Sequence, residues 1–185
     1  MSRTRVRDLP GAAEQDVMLQ GWLYNRRSSK KMHFLQLRDG SGIVQCIVAR
    51  DDVGEDDFSR IGQIPYESAI ELKGKAHADD RAPGGVEVHT SAVAVISAAQ
   101  DYPIAKQDHG PDFLLSHRHL WLRSRKQVAL MHIRDEVIRT IRDSMHELGF
   151  TCIDAPIFTP NSCEGTSTLF EVDYFDDEKA FLTQS

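Results

Sequence analysis

Cysteine is scarce in this chain and badly placed for cross-linking or metal binding. Cys46, Cys152 and Cys163 lie far apart and form no CxxC pair, so neither a zinc ribbon nor a disulfide scaffold fits. Long apolar runs are missing too. No stretch approaches the roughly 18 residues of a membrane span. The N-terminal MSRTRVRDLPGAAEQ has charges but no apolar centre, so it is not a secretory signal. A reduced, cytoplasmic protein without a membrane role is expected. Excess positive charge is also absent. The net charge is −6, with 13 Lys/Arg against 14 Asp/Glu in residues 1–96 and 9 against 14 in residues 97–185. Any contact with nucleic acid must therefore rest on a local patch. Repeats and low-complexity tracts are lacking, and 41% hydrophobic with 27% charged residues is the balance of an ordinary globular chain. Its 185 residues leave room for one large domain or one and a half smaller ones.

What is present begins with strands, over residues 16–96. Val17, Leu19 and Leu23 alternate with polar or small residues in DVMLQGWLY, as a half-buried strand requires. HFLQLRD, the turn Asp39-Gly40-Ser41-Gly42 and IVQCIVA together predict a hairpin. Asp51–Ile64 has helix-start character, with acids early and Phe58 and Ile61 on one face. ESAIELKGKAHA and VEVHTSAVAVIS are two further strands around the turn DDRAPGG. Three strands, a short helix and two strands is the order of a five-stranded OB-fold barrel, and a different small barrel shares it.

The second half changes character. Ala98–Ser116 carries Pro103, Gly110 and Pro111 and no sustained period, so it reads as a surface linker. Across Leu120–Leu148, the residues Val128, Met131, Val137, Ile138, Ile141, Met145 and Leu148 recur at three- and four-residue steps, predicting an amphipathic helix. Gly149 suits its C-terminal cap, and Pro156 and Pro160 keep TCIDAPIFTP extended. A polar cluster, Glu164-Gly165-Thr166-Ser167-Thr168, then precedes two strand-like runs, Leu169–Tyr174 and Ala180–Thr183, around the acidic turn Phe175–Lys179. A lone hairpin is marginal in water, and the chain stops at Ser185 at the end of a strand. Such an ending predicts the first third or so of a larger protein.

Two features carry chemistry. Trp22–Arg38 (WLYNRRSSKKMHFLQLR) holds Arg26, Arg27, Lys30, Lys31 and Arg38 without one acid, beside Trp22, Tyr24 and Phe34. Cations that track phosphates beside rings that stack on bases are how such barrels hold single-stranded nucleic acid. A solvated loop over core aromatics fits the same residues. His117, Arg118 and His119 lack a carboxylate or cysteine at metal-binding spacing, so a surface or interface role is expected of them.

GWLYNRR followed by HFLQLRDGSGIVQCIV resembles the N-terminal anticodon-binding barrel of the class IIb aminoacyl-tRNA synthetases, those for aspartate, asparagine and lysine. DFLLSHRHLWLR, the long helix and FTCIDAPIFTP resemble the linker and motif 1 of that family. The resemblance implies an OB-fold domain over residues 1–97, a linker over 98–119, and over 120–185 the start of a catalytic domain built on an antiparallel sheet. It implies anticodon contacts for Arg27, Phe34 and Gln45, with Phe34 stacking on a base and Gln45 offering its amide to a Watson–Crick edge. Pro156 would sit in a homodimer interface. Glu164 would pair with the α-ammonium group of the amino acid, a natural role for a buried carboxylate, with Gln184 and its neighbour Ser185 in the same pocket.

The wording EGTSTLFEVDYFDDEKAFLTQS is nearest to the asparagine members of the family. The resemblance then implies ATP-dependent attachment of asparagine to tRNA, with ATP and Mg2+ as cofactors that none of the residues here would hold. Archaeal or eukaryotic aspartate members are the alternative, and a non-catalytic OB-fold RNA-binding module is the alternative from another class. The arginines of motifs 2 and 3 do not occur, so these 185 residues alone are expected not to aminoacylate.

Overall fold

Alternating apolar residues can close into a barrel only where each strand finds a neighbour on both sides, and residues 16–97 do so. The computed structural model describes residues 3–104, 108–159, 170–175 and 179–183. Its barrel comprises β1 (Asp16–Ser28), β2 (Met32–Asp39), β3 (Gly42–Ala49), β4 (Ala69–Ala78) and β5 (Val86–Ser97), in the spatial order β1-β2-β3-β5-β4. β4 returns to pair with β1, and every pairing is antiparallel except β3 with β5. This is the OB-fold, of the two barrels that the strand order allowed.

One side of each strand fills the barrel. Leu19, Leu23, Leu35, Leu37, Val48, Ile70, Leu72 and Val88 are fully buried, each contributing roughly 1.5–3 kcal/mol by leaving water. A 3-10 turn, Val6–Ala12, adds Leu9 to this core. Asp39 ends the β2–β3 hairpin from a buried position. Its carboxylate accepts hydrogen bonds from the backbone N–H groups of Val6, Ser41 and Gly42 and from the Ser41 hydroxyl, at 2.7–3.0 Å. Burial alone would disfavour its charge, but these four donors outweigh that and hold its carboxyl below the ordinary value.

Three irregularities shape the wall, one of them between Ala69 and Ile70 of β4. Pairing shifts between Leu23 and Asn25 in β1, leaving Tyr24 as the extra residue of a bulge. The third lies at Lys73–Gly74, where a Cβ on Gly74 would stand 2.1 Å from the His89 carbonyl oxygen. The helix expected over Asp51–Ile64 is two pieces, α1 (Arg50–Val53) and α2 (Glu55–Ile61). Gly54, at φ 81°, interrupts it with a conformation that only glycine adopts cheaply. Phe58 and Ile61 of α2 pack into the barrel core.

Residues 1–108 and 109–185 form two separate compact units. The second opens with α3 (Pro111–Ser116) and α4 (Arg118–Trp121), short helices that the aperiodic sequence there did not suggest. Pro111 stands at the first helical position, where its missing N–H costs nothing. His109, Phe113 and His117 stack in a row, and a His117 ring nitrogen (Nδ1) bonds the Phe113 carbonyl at 2.9 Å. α5 (Arg125–Glu147) begins later than Leu120 because Ser124 caps it, accepting from the Gln127 N–H. Its end follows expectation. Gly149, at φ 89°, donates to the His146 carbonyl and Phe150 to the Met145 carbonyl, a paired closure of the last turn.

β6 (Phe158–Thr159), β7 (Glu171–Asp173) and β8 (Lys179–Leu182) make a small antiparallel sheet in the order β6-β8-β7. The closing hairpin was expected to lack partners, yet β6 pairs with β8 from within the chain. No helix among the described residues is long and apolar enough to cross a membrane.

Candidate nucleic-acid interface

Strand pleating sends alternate side chains outward, and register then decides which of them are neighbours. Arg27 of β1 stands directly opposite Phe34 of β2. Phe34 faces Ile47 of β3, and Ile47 faces His89 of β5. The adjacent row runs Asn25, Gln36, Gln45 and Glu87. Gln45 therefore sits on the diagonal from Phe34, within reach of the same ligand. All three sequence-predicted barrel residues share one outer face of β1–β2–β3 away from the core, with Arg27 exposed and Phe34 and Gln45 half-buried.

Their neighbours are less uniform than the sequence suggested. Arg26 donates to the carbonyls of Ile61 and Ile64, at 3.1 and 2.8 Å, and lies over the Tyr66 ring, so it caps the end of α2. Arg38 pairs with Glu67 at 2.5 Å, with both side chains almost buried (12% and 7% exposed), and lies over Tyr24. These two cations stabilise the barrel and are not free to meet phosphate. Arg27, Lys30 and Lys31 remain: among the described residues their side chains enter no ion pair. Trp22, 41% exposed, is on the outer surface rather than in the core, and Tyr24 is half-buried under Arg38.

Gln45 is not a free amide either. Its Nε2 donates to Glu87 at 3.3 Å, and the other Glu87 oxygen lies 3.0 Å from His89 Nε2. The contact holds the amide nitrogen toward β5 and leaves the carbonyl oxygen available as an acceptor. Sequence reasoning passed over Glu87 and His89, although the alternation in VEVHT places both outward. Behind Gln45, burial pushes the Cys46 thiol up to about 12, so it stays neutral and unreactive.

At the tip of the β1–β2 hairpin, Ser29 closes the turn. Its N–H donates to the Met32 carbonyl at 2.8 Å and its hydroxyl oxygen accepts from the Met32 N–H at 3.1 Å. Lys30 and Lys31 crown that turn. The whole face thus presents cations at one end, Phe34 in the middle and a set of amides beside it, an arrangement that can stack and read unpaired bases.

In the second unit, Pro156 is exposed in irregular chain two residues before β6, and not inside a strand. The apolar residues of α5, including Val128, Met131, Val137, Ile138, Ile141 and Met145, are exposed as well. Glu164, Gln184 and Ser185 lie outside the described residues.

Residues 17–96 match the family model for the OB-fold nucleic acid binding domain, and residues 110–185 match that for tRNA synthetases class II (D, K and N). The chain is 50% identical over 179 residues to the asparagine–tRNA ligase of Sorangium cellulosum, covering 96% of this chain and 40% of that relative. It is 47% identical over 184 residues to the asparagine–tRNA ligase of Thermus thermophilus, covering 99% of this chain and 42% of that one. The crystal structure of asparaginyl-tRNA synthetase from Pyrococcus horikoshii complexed with asparaginyl-adenylate superposes with a TM-score of 0.89 at 35% identity, over 100% of this chain and 43% of that chain. The chain thus spans about two fifths of the length of the relatives it matches.

Proposed function

We propose, for a chain that belongs to the class II tRNA synthetases of the D, K and N group, that its barrel holds the anticodon of an asparagine tRNA. The wider activity is attachment of asparagine to that tRNA at the expense of ATP. The observation that carries this reading is the shared outer face of Arg27, Phe34 and Gln45. Phe34 stacks on an unpaired anticodon base, the central U. Gln45, with its amide nitrogen held by Glu87, accepts from a base edge. Arg27, with Lys30 and Lys31, meets phosphate or a base edge. Identities of 45–50% to asparagine–tRNA ligases over nearly the whole chain favour asparagine over aspartate.

The second unit contributes to the amino-acid side. Glu164 pairs with the substrate ammonium group, and Gln184 and Ser185 line the same pocket. ATP and Mg2+ would supply the activated phosphate and its charge neutralisation, at residues other than these. Pro156 and the apolar face of α5 belong to a homodimer interface, and the protein works in the cytoplasm.

Fluorescence anisotropy with an RNA stem–loop bearing the asparagine anticodon tests the central step. Binding should exceed that of the same stem–loop with the middle U replaced. Equal affinity for the two loops would remove anticodon reading from this barrel.

A further inference from the structure

The β1–β2 tip is tied down more firmly than a surface turn needs to be. Ser29 already closes it. Three further ties reach it from the helical insertion between β3 and β4. The backbone N–H of Arg50, the first residue of α1, donates to the Lys31 carbonyl at 2.9 Å. The Arg50 guanidinium (Nη2) donates to the Lys30 carbonyl, while Nη1 pairs with Glu55 of α2 at 3.2 Å. The third tie runs through His33, which stacks on Phe58 of α2 with ring centroids 3.8 Å apart. A His33 ring nitrogen (Nε2) bonds the Phe58 carbonyl at 2.9 Å and the other (Nδ1) bonds the Ser28 hydroxyl at 2.8 Å. Arg50 also lies over the Phe58 ring, 5.0 Å from its centroid. The buried Nε of Arg50 has no hydrogen-bond partner among the described residues, a cost that the ring contact offsets in part.

These contacts converge on two residues whose side chains pair with no acid among the described residues. The carbonyls of Lys30 and Lys31 are held from below, and their ammonium groups are left to meet a ligand. A flexible lysine on an unanchored loop loses freedom when it meets a phosphate, and anchoring its backbone beforehand removes part of that loss. We propose that α1–α2 positions the β1–β2 tip for nucleic acid, with Arg50 as the positioning residue that sets Lys30 and Lys31 against the RNA backbone. The role rests on the anticodon-binding reading above and names a device within it. Arg50 itself acts only through the tip. Its guanidinium engages Lys30, Glu55 and Phe58, and its effect on RNA is indirect.

The test is an anisotropy titration of the whole chain with the asparagine anticodon stem–loop between about 50 and 200 mM KCl, the range over which phosphate contacts reveal themselves. It compares the unsubstituted protein, Arg50→Ala, the double variant Lys30→Ala/Lys31→Ala, the triple variant, and Phe34→Ala. Arg50→Ala should weaken binding at low salt on the order of tenfold and flatten the slope of log K against log[salt] by about 0.7 for each phosphate lost. In the Lys30→Ala/Lys31→Ala background, Arg50→Ala should flatten the slope no further. A change that merely lowers the folded fraction leaves the slope where it was, so the slope separates positioning from stability. Where Arg50→Ala does not fold, Arg50→Lys keeps the charge without the fork that bridges Lys30 and Glu55, and the same slope is read.

An unaltered slope in the Arg50 variant overturns the positioning role. So does equal flattening in the lysine-free background. Phe34→Ala distinguishes the two levels. If it weakens binding while Arg50→Ala does not, the positioning role alone fails. If the unsubstituted protein ignores the RNA, the anticodon reading fails and the positioning role with it.

Discussion

Phe34 and Leu35 are adjacent in sequence and opposite in consequence. Phe34 is half-buried on the outer face between Arg27 and Ile47, whereas Leu35 is wholly inside the barrel. Phe34→Ala should weaken stem–loop binding by about 1–3 kcal/mol, the loss of one base–ring stack, with little effect on the melting temperature. Leu35→Ala should cost about 2–5 kcal/mol of stability through the cavity it leaves, seen by chemical denaturation. His33 adds a pH dependence. Burial is the main cause that lowers its pKa below the ordinary 6.5, with the nearby cations Arg26 and Arg50 adding to it against the Phe58 carbonyl bond. The folded chain therefore favours the neutral ring, and protons favour the unfolded one. Stability is fully present above about pH 6.5 and is lost as pH falls from there through the lowered folded value. Denaturant midpoints between about pH 7.5 and 5 should show this decline, and His33→Asn should flatten it.

Elements in this molecule depend on a few glycines and caps. Gly74 lets β4 come against the bulged β5 where a Cβ would strike the His89 carbonyl. Gly74→Ala should destabilise the barrel by about 1–3 kcal/mol, because backbone on one side leaves nothing soft to move. Thermal melting followed by circular dichroism measures it. Gly149→Ala acts on α5 instead, since φ 89° is strained for any side chain. About 1 kcal/mol is the expected loss there, and it should leave RNA affinity unaltered because the barrel is a separate unit. An unaltered melt in Gly74→Ala would mean that β4 and β5 can part without cost.

At the scale of the whole molecule, the two units bury their apolar residues to different degrees. The barrel hides its core completely, while α5 leaves Val137, Ile138 and Ile141 in water. An exposed apolar face of this extent is a surface that a partner or a further segment of chain can cover. With the homodimer reading, Ile138→Asp together with Ile141→Asp should shift sedimentation from dimer to monomer without altering stem–loop affinity per chain. A protein that sediments as a monomer before any substitution would count against the interface.

The alternation in β1 to β5, the Asp39–Gly42 turn, the apolar stripe of α5 and its Gly149 cap were all legible in the sequence, because each is local and rests on periodicity or on a single residue's conformational preference. The wording around Trp22–Val48 was enough to single out Arg27, Phe34 and Gln45. Which charges were already engaged was not legible. Arg26 and Arg38 look no different from Arg27 in WLYNRRSSKKMHFLQLR, yet Arg38 meets Glu67 across 29 residues and Arg26 meets Ile64 across 38. Gln45 likewise gains its orientation from Glu87, 42 residues on, through the parallel β3–β5 pairing. Barrel closure decided those partnerships. A local pattern says which way a side chain points, and only the register of strands distant in sequence says what it meets there.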